Sequence, residues 1–366
     1  MDNSSRRTDH SFAVSSGTLN LLSPDAENKR YEVAVIISLI VILSAVLIFS
    51  LMVGRFGLPL GTIIRVFAAR FSGNVDAELR QAYNVLFIIR LPRIFLTLLV
   101  GAALAISGAA YQSLFRNPLV SPDILGVTHG AGVGAAIGIL LGMPSVGIHL
   151  LSFLFGIGVV SIVLSLSRIL GSGKNATVVL VLTGTIMNLL AQSIISFTKY
   201  VADAESKLPE ITFWLMGSFA RSGNYRNIYI MLVLFLIGAV PVFLLRWKIN
   251  VLSFGDEEAR SLGIDTKRLR AIVILCSTLL TAASVSLCGT IGWVGLIIPH
   301  ISRLLVGPNN RVLFPVALLA GSTFMLIVDD FARAIVPGEL PIGVLTAFVG
   351  APLFLYMLFN GKRDWL

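Results

Sequence analysis

Residues Val33–Val53 read VAVIISLIVILSAVLIFSLMV, twenty-one consecutive positions without a charged side chain. A helix that is apolar on every face has no side to turn toward water, and a run of about 20 such residues matches the hydrocarbon thickness of a bilayer. Working outward from this stretch, comparable runs recur near 92–115, 123–142, 146–169, 176–199, 227–246, 268–289, 296–306, 312–334 and 341–360. The whole chain is 56% hydrophobic and only 13% charged, with mean hydropathy +0.88, against about 25% charged residues in an ordinary soluble domain. The expected fold class is an all-α polytopic membrane protein of about ten spans, because long apolar runs differ from the short alternating segments of a membrane barrel. Residues 1–30 read as a polar cytoplasmic tail and 31–366 as a single transmembrane domain. No apolar h-region precedes Tyr31, so a cleaved signal peptide is not expected.

The net charge of +9 does not point to nucleic acid, because the Lys and Arg residues sit at span ends and in short loops rather than on one basic face. An even number of spans, a basic flank before Val33 and Lys362 and Arg363 at the far end place both termini in the cytoplasm. The segment 54–91 then becomes an outer loop, although it holds Arg55, Arg65, Arg70, Arg80 and Arg90. Those arginines require another explanation. Cys276 and Cys288 lie about 18 Å apart on one helix, too far for a disulfide, and read as small buried hydrophobes.

Gly126, Gly130, Gly134, Gly138 and Gly142 repeat at every fourth position. At helical pitch they form one groove that lets another backbone come close; tight packing accounts for it, and a sliding surface during gating is the functional alternative. The region 205–220 suits a short outer-surface or re-entrant helix ending at Gly217. In the region 250–266, the stretch from Gly255 to Gly263 reads as a short polar helix with acidic residues in its first turn, Arg260 further on and Gly263 closing it. Two turns are unstable alone in water, so either the protein's own cytoplasmic face or a partner's cleft must hold them.

Chemistry-bearing patterns are sparse. Gly171 to Asn175 resembles a phosphate loop only superficially, since the required leading glycine is missing and Asn175 follows Lys174 where Ser or Thr belongs. ATP, if used, must be hydrolysed by another chain. His10, His129, His149 and His300 show no metal-ligand spacing; a structural hydrogen bond suits His300, while His129 lies in the glycine-rich span where it could line a pathway. The spans are nearly free of the carboxylates an ion-coupled carrier would need. Asp329 and Asp330, with Arg333 one turn on, resemble a self-neutralised helix end. An intramembrane hydrolase lacks a Ser–His or paired-Asp set.

Several motifs taken together resemble the FecCD family of permeases, which serve iron–siderophore, haem and cobalamin ABC importers. They are Arg90-Leu-Pro-Arg93 followed by the Gly101–Gly108 run and Gln112; Arg116-Asn117-Pro118-Leu119-Val120-Ser-Pro122-Asp123 leading to Gly126; Trp214-Leu-Met-Gly217-Ser218; Glu258-Ala-Arg-Ser-Leu-Gly263; Gly292-Trp-Val-Gly295 through Pro299-His300 to Arg303; and Arg333 with Glu339-Leu-Pro341-Ile-Gly343 and Gly350-Ala-Pro352. They fall in family order from about residue 85 onward.

The resemblance implies a type II ABC importer permease fold of ten helices and a transport subunit rather than an enzyme. It binds no cofactor itself, ATP and magnesium being used by two ATP-binding subunits. It also implies a second permease chain, identical or not, and a substrate-binding protein docking outside. Gly255, Glu257, Glu258, Ala259, Arg260, Leu262 and Gly263 become the ATPase-coupling helix. Arg90, Arg93 and Arg333 become outward contacts for the binding protein, with capping of local carbonyls as the alternative role. Asn117 and Leu119, with Ala176 and Thr177, become a cytoplasmic gate, though a rigid Asn-Pro-Leu turn also explains the first pair. An iron–siderophore chelate is the expected cargo, with haem or cobalamin as alternatives and an ion-coupled carrier as the rival class.

Overall fold

In a computed structural model, which describes residues 24–73, 76–171, 176–336 and 338–360, the regular elements among these residues are all helices. They are α1 (Pro24–Met52), α2 (Leu60–Ser72), α3 (Ala77–Asn84), α4 (Leu91–Phe115), α5 (Val127–Leu140), α6 (Ser145–Leu170), α7 (Ala176–Val201) and α8 (Lys207–Leu215). There follow α9 (Tyr225–Leu244), α10 (Arg246–Leu252), α11 (Asp256–Ser261), α12 (Thr266–Cys288), α13 (Val294–Val306), α14 (Asn310–Ala334) and α15 (Ile342–Asn360). Among the described residues seven helical stretches are long and apolar enough to cross a membrane, and α5, α13 and α15 are shorter apolar helices. Each of the ten expected spans has its helix.

The boundaries correct the sequence reading in three places. The first helix starts at Pro24, inside what reads as a polar tail, and Lys29 and Arg30 ride on its exposed first turns. The segment 54–91 is not a loop. It holds α2 and α3, and α3 runs through a six-residue π-helical turn, Val85–Arg90, into α4, making one helix from Ala77 to Phe115. Arg65, Arg70 and Arg80 stand exposed on α2 and α3, while Ile63, Val66 and Ala69 turn inward. An amphipathic surface helix carries such charges at no cost to a span. The span expected from 123 starts instead with a single 3-10 turn, Pro122–Leu125; Gly126 takes a left-handed φ of 88° and α5 begins after it.

The helix α4 is the hub, packing against α9, α12, α13 and α14. Its small residues explain why. A side chain at Gly101 would meet Met325 Cγ at 2.7 Å and the Gly321 carbonyl of α14, and one at Gly108 would meet the Gly295 Cα of α13 at 2.8 Å. Lipid provides no hydrophobic drive between helices, so close backbone packing and interhelical hydrogen bonds hold a bundle together. Both are present. Ser107 Oγ donates to the Ser277 carbonyl at 2.9 Å, Tyr111 and Thr278 hydroxyls meet at 3.2 Å, and Gln112 Nε2 donates to the Leu296 carbonyl at 2.9 Å.

The glycine stripe of α5 is filled by α6: a Cβ at Gly130 would lie 2.9 Å from the Phe155 carbonyl, and one at Gly134 would lie 2.9 Å from the Ser152 Cα. Around the outside, Ile37, Val41, Phe49, Ile186, Phe197 and Tyr229 are exposed, as faces bathed by lipid require.

Candidate functional site

The candidate residues fall at two ends of the bundle. One gathers α10, α11, the turn after α4 and the start of α12. The other gathers α2, α3, α8 and the 338–341 segment.

At the first end, α11 has only six residues, and only Ala259 among them is buried. Gly255, with φ 135°, sets the entry, and its Cα has the Glu258 carboxylate folded against it. The exit is a Schellman turn: Gly263 (φ 77°) donates to the Arg260 carbonyl at 2.9 Å and Ile264 donates to Ala259 at 3.0 Å, closing orphan carbonyls as such motifs do. Ile264 is buried beside Ala259, and that contact pins the short helix to the body. Glu257, Glu258, Arg260, Leu262 and Gly263 are exposed, as is Phe254 just before the helix.

Sequence reasoning missed the residue that ties this helix inward. Arg270 of α12 pairs with Asp256 of α11 at 2.8 Å and donates to the Leu114 carbonyl in the last turn of α4 at 3.1 Å. One guanidinium thus links α11, α12 and α4. The signal was available, since Asp256 opens a helix and Arg270 follows within one turn of the α12 start, but their pairing depends on the chain reversing at 262–266.

Beyond Leu114, Arg116 takes a left-handed φ of 51° to cap α4. Asn117 Oδ1 then accepts from the Leu119 amide at 2.9 Å, and Asn117 O accepts from Val120 at 3.2 Å. Both gate candidates of this turn are exposed, and the turn is rigid by its own bonding. Ala176 and Thr177 occupy the first positions of α7; their side chains lie outside the described residues, as do residues 172–175 of the glycine-lysine stretch before them.

At the opposite end, Arg90, Arg93 and Arg333 do not project outward. All three are buried. Arg90 Nη1 donates to the Leu51 carbonyl at 2.5 Å and to Met52 at 3.2 Å, and Nη2 donates to Phe56, so it caps the end of α1, where carbonyls lack helical partners. Arg93 makes a forked contact to Asp329, Nη2 at 2.8 Å and Nε at 3.0 Å, and reaches Glu339 with Nη1 at 3.0 Å. Arg333 pairs with Asp330 and donates to the Ser50 carbonyl at 2.6 Å; Ser50 Oγ in turn donates to Asp330 at 2.7 Å. The self-neutralised helix end expected from Asp329, Asp330 and Arg333 is therefore two pairs, and Asp329 is neutralised from α4. In place of outward contacts, the three arginines stitch α1, α4 and α14 together beneath this face.

Close by, three irregular segments meet. Ser218 donates to the Cys288 carbonyl at 2.8 Å, Ile342 to Gly217 at 3.0 Å and Gly343 to Met216 at 3.0 Å. Non-helical backbone at membrane depth is tolerated only where protein covers it or a water-filled cavity meets it. Here Gly217, Ser218 and Gly289 line a cavity of about 460 Å³ together with His149, Glu210 and Glu339. A second, mostly apolar hollow of about 640 Å³ lies between Leu215, Trp293 and Phe348. His149 Nδ1 sits 2.6 Å from the Ser286 carbonyl, a structural tie, and His129 lies half-buried in α5. Among the described residues no group of His, Cys, Asp or Glu could hold a metal ion.

The FecCD transport family model matches residues 41–360. This chain belongs to the FecCD transport family. It is 41% identical over 328 residues to the molybdate import system permease protein MolB of Haemophilus influenzae, covering 89% of this chain and 95% of that one. It is 37% identical over 305 residues to the cobalamin import system permease protein BtuC of Halobacterium salinarum, covering 82% and 80% of the two chains. A solved inward-facing structure described as a metal-chelate type ABC transporter superposes with a TM-score of 0.80 at 39% identity, covering 89% of this chain and 99% of that one. The FecCD chain is thus a multi-pass ABC importer permease of the type II fold, a transport component.

Proposed function

We propose that this permease carries a metal chelate of the iron–siderophore class inward across the cell membrane, by alternating access driven from outside the chain. The observation that carries the reading is α11: a two-turn polar helix held to the body by Ala259, Ile264 and the Asp256–Arg270 pair, with Phe254, Glu257, Glu258, Arg260 and Leu262 left exposed. A partner cleft that grips this helix can push on Arg270, and through the Leu114 carbonyl on the end of α4. The Asn117–Leu119 turn follows directly. The stroke of two ATP-binding subunits therefore reaches the gate candidates through a chain of named bonds. ATP and magnesium belong to those subunits, and this chain holds no cofactor.

In this reading the α11 end and both termini face the cytoplasm, and the face above Arg90, Arg93 and Arg333 receives a substrate-binding protein. Two permease chains, identical or paired with a second gene product, enclose the pathway. The low charge of the spans suits a bulky chelate that must be released, selectivity being left to the binding protein. Haem and cobalamin suit the same conduit. A second reading, an oxyanion cargo, is favoured by the 41% identity to a molybdate permease.

The test is uptake into proteoliposomes holding this permease, its ATPase and its binding protein, offered radioiron–siderophore and labelled molybdate in parallel. Saturable, ATP-dependent iron uptake supports the proposal. Molybdate uptake alone transfers the chain to the second reading, and accumulation with no ATPase present removes both.

A further inference from the structure

A cavity of about 680 Å³ opens beside α11, between the ends of α4, α6 and α7 and the start of α12. Its rim carries Arg168, Arg260, Lys267, Arg268 and Arg270, against the single carboxylate of Asp256. Two of these cations are engaged in ion pairs: Arg270 with Asp256, and the largely exposed Arg268 with Asp265 at 3.0 Å. Arg260 Nε has a long contact to Thr266 Oγ1 at 3.4 Å. Arg168 and Lys267, from two different helices, are exposed and form no ion pair among the described residues. Like charges converging on one hollow repel unless an anion lies between them. The inner wall has the opposite character: Phe115, Leu164, Leu180 and Ile274 line it from four spans. Ile169 and Leu170, beside Arg168, are 79% and 66% exposed.

We propose that this cavity binds the phosphate of an anionic phospholipid, with the headgroup on the cationic rim and the glycerol and first methylenes against the apolar wall. A free phosphate would satisfy the rim but leave the apolar wall unused. A phospholipid uses both, and the cavity sits where spans end, at headgroup depth. Basic pockets between helix ends at the cytoplasmic face are recognised lipid sites, each Lys or Arg near an anionic surface adding about a fivefold preference. Because Arg260 lies on α11 and Arg270 holds it, a bound headgroup would brace the coupling helix from its membrane side. The leaflet assignment rests on the orientation proposed above; the binding does not.

The experiment places the full chain in nanodiscs of phosphatidylcholine doped with phosphatidylglycerol and counts retained lipids by native mass spectrometry after release into neutral detergent. The wild-type chain retains phosphatidylglycerol over phosphatidylcholine. The double variant Arg168→Gln with Lys267→Gln loses that preference by about 30-fold, with an unchanged size-exclusion profile. The control pair Arg65→Gln with Arg80→Gln, at the opposite end, keeps it. No preference in the wild type overturns the proposal, as does an equal loss in the control. Inorganic phosphate bound as tightly in pure phosphatidylcholine identifies a free anion and overturns the lipid assignment. Variants that keep the lipid but no longer co-purify with the ATPase show that the surface belongs to that subunit.

Discussion

Replacing Arg93 should cost stability before it costs anything else. The guanidinium is buried, and it is the only cation contacting the Asp329 carboxylate among the described ion pairs; Asp329 is 0% exposed. Arg93→Gln leaves that carboxylate in the bundle without a counter-charge, and breaking a buried pair from one side costs about 3–5 kcal/mol. At about 2 °C per kcal/mol for a large chain, the apparent melting point falls by roughly 6–10 °C. Glu339 is 28% exposed, so Glu339→Gln costs only about 1 kcal/mol. The double variant Arg93→Met with Asp329→Leu removes both charges and restores most of the loss, because an apolar pair of similar volume replaces an ion pair without penalty. Heating the detergent-solubilised protein and following the folded fraction by size exclusion measures all three. An Arg93→Gln protein as stable as wild type, yet unable to hold its binding protein, refutes this reasoning and returns Arg93 to the docking role that the family resemblance implied.

The other expectations concern the lever and the packing seams. Gly263→Val forces a β-branched residue to φ 77°, destabilises the Schellman turn by about 1–2 kcal/mol, and should leave ATP hydrolysis running while uptake falls in proteoliposomes. Arg270→Gln frees α11 from the α4 end, so uptake per ATP hydrolysed should drop several-fold while the folded yield stays close to wild type. Glu258→Lys reverses an exposed charge on the face proposed above to meet the ATPase and should weaken co-purification of that subunit. Gly108→Leu places a side chain on the Gly295 backbone and should abolish the monodisperse peak, whereas Gly158→Ala, with open space around it, should not.

The spans were legible because lipid imposes one rule on every helix that crosses it, and a run such as 33–53 can satisfy that rule in only one way. The short polar helix α11 was legible too, since acidic residues at its start and Gly263 at its end are local signals. Its anchor was not: Asp256 and Arg270 are fourteen positions apart and meet only after the chain turns back. The same limit applied to the arginines. The family resemblance singled out Arg90, Arg93 and Arg333 as a group, but whether a guanidinium faces solvent or a buried partner, 236 positions away for Arg93, is a property of packing.

Composition and periodicity by themselves determined that this chain lives in a membrane and that it has about ten spans. Tertiary structure alone decided that the supposed outer loop is a pair of surface helices, that the conspicuous arginines are internal struts, and that a cationic hollow stands beside α11. The division has a simple cause. Hydropathy and capping act over one or two turns of chain, whereas a buried charge is placed by whichever distant residue neutralises it.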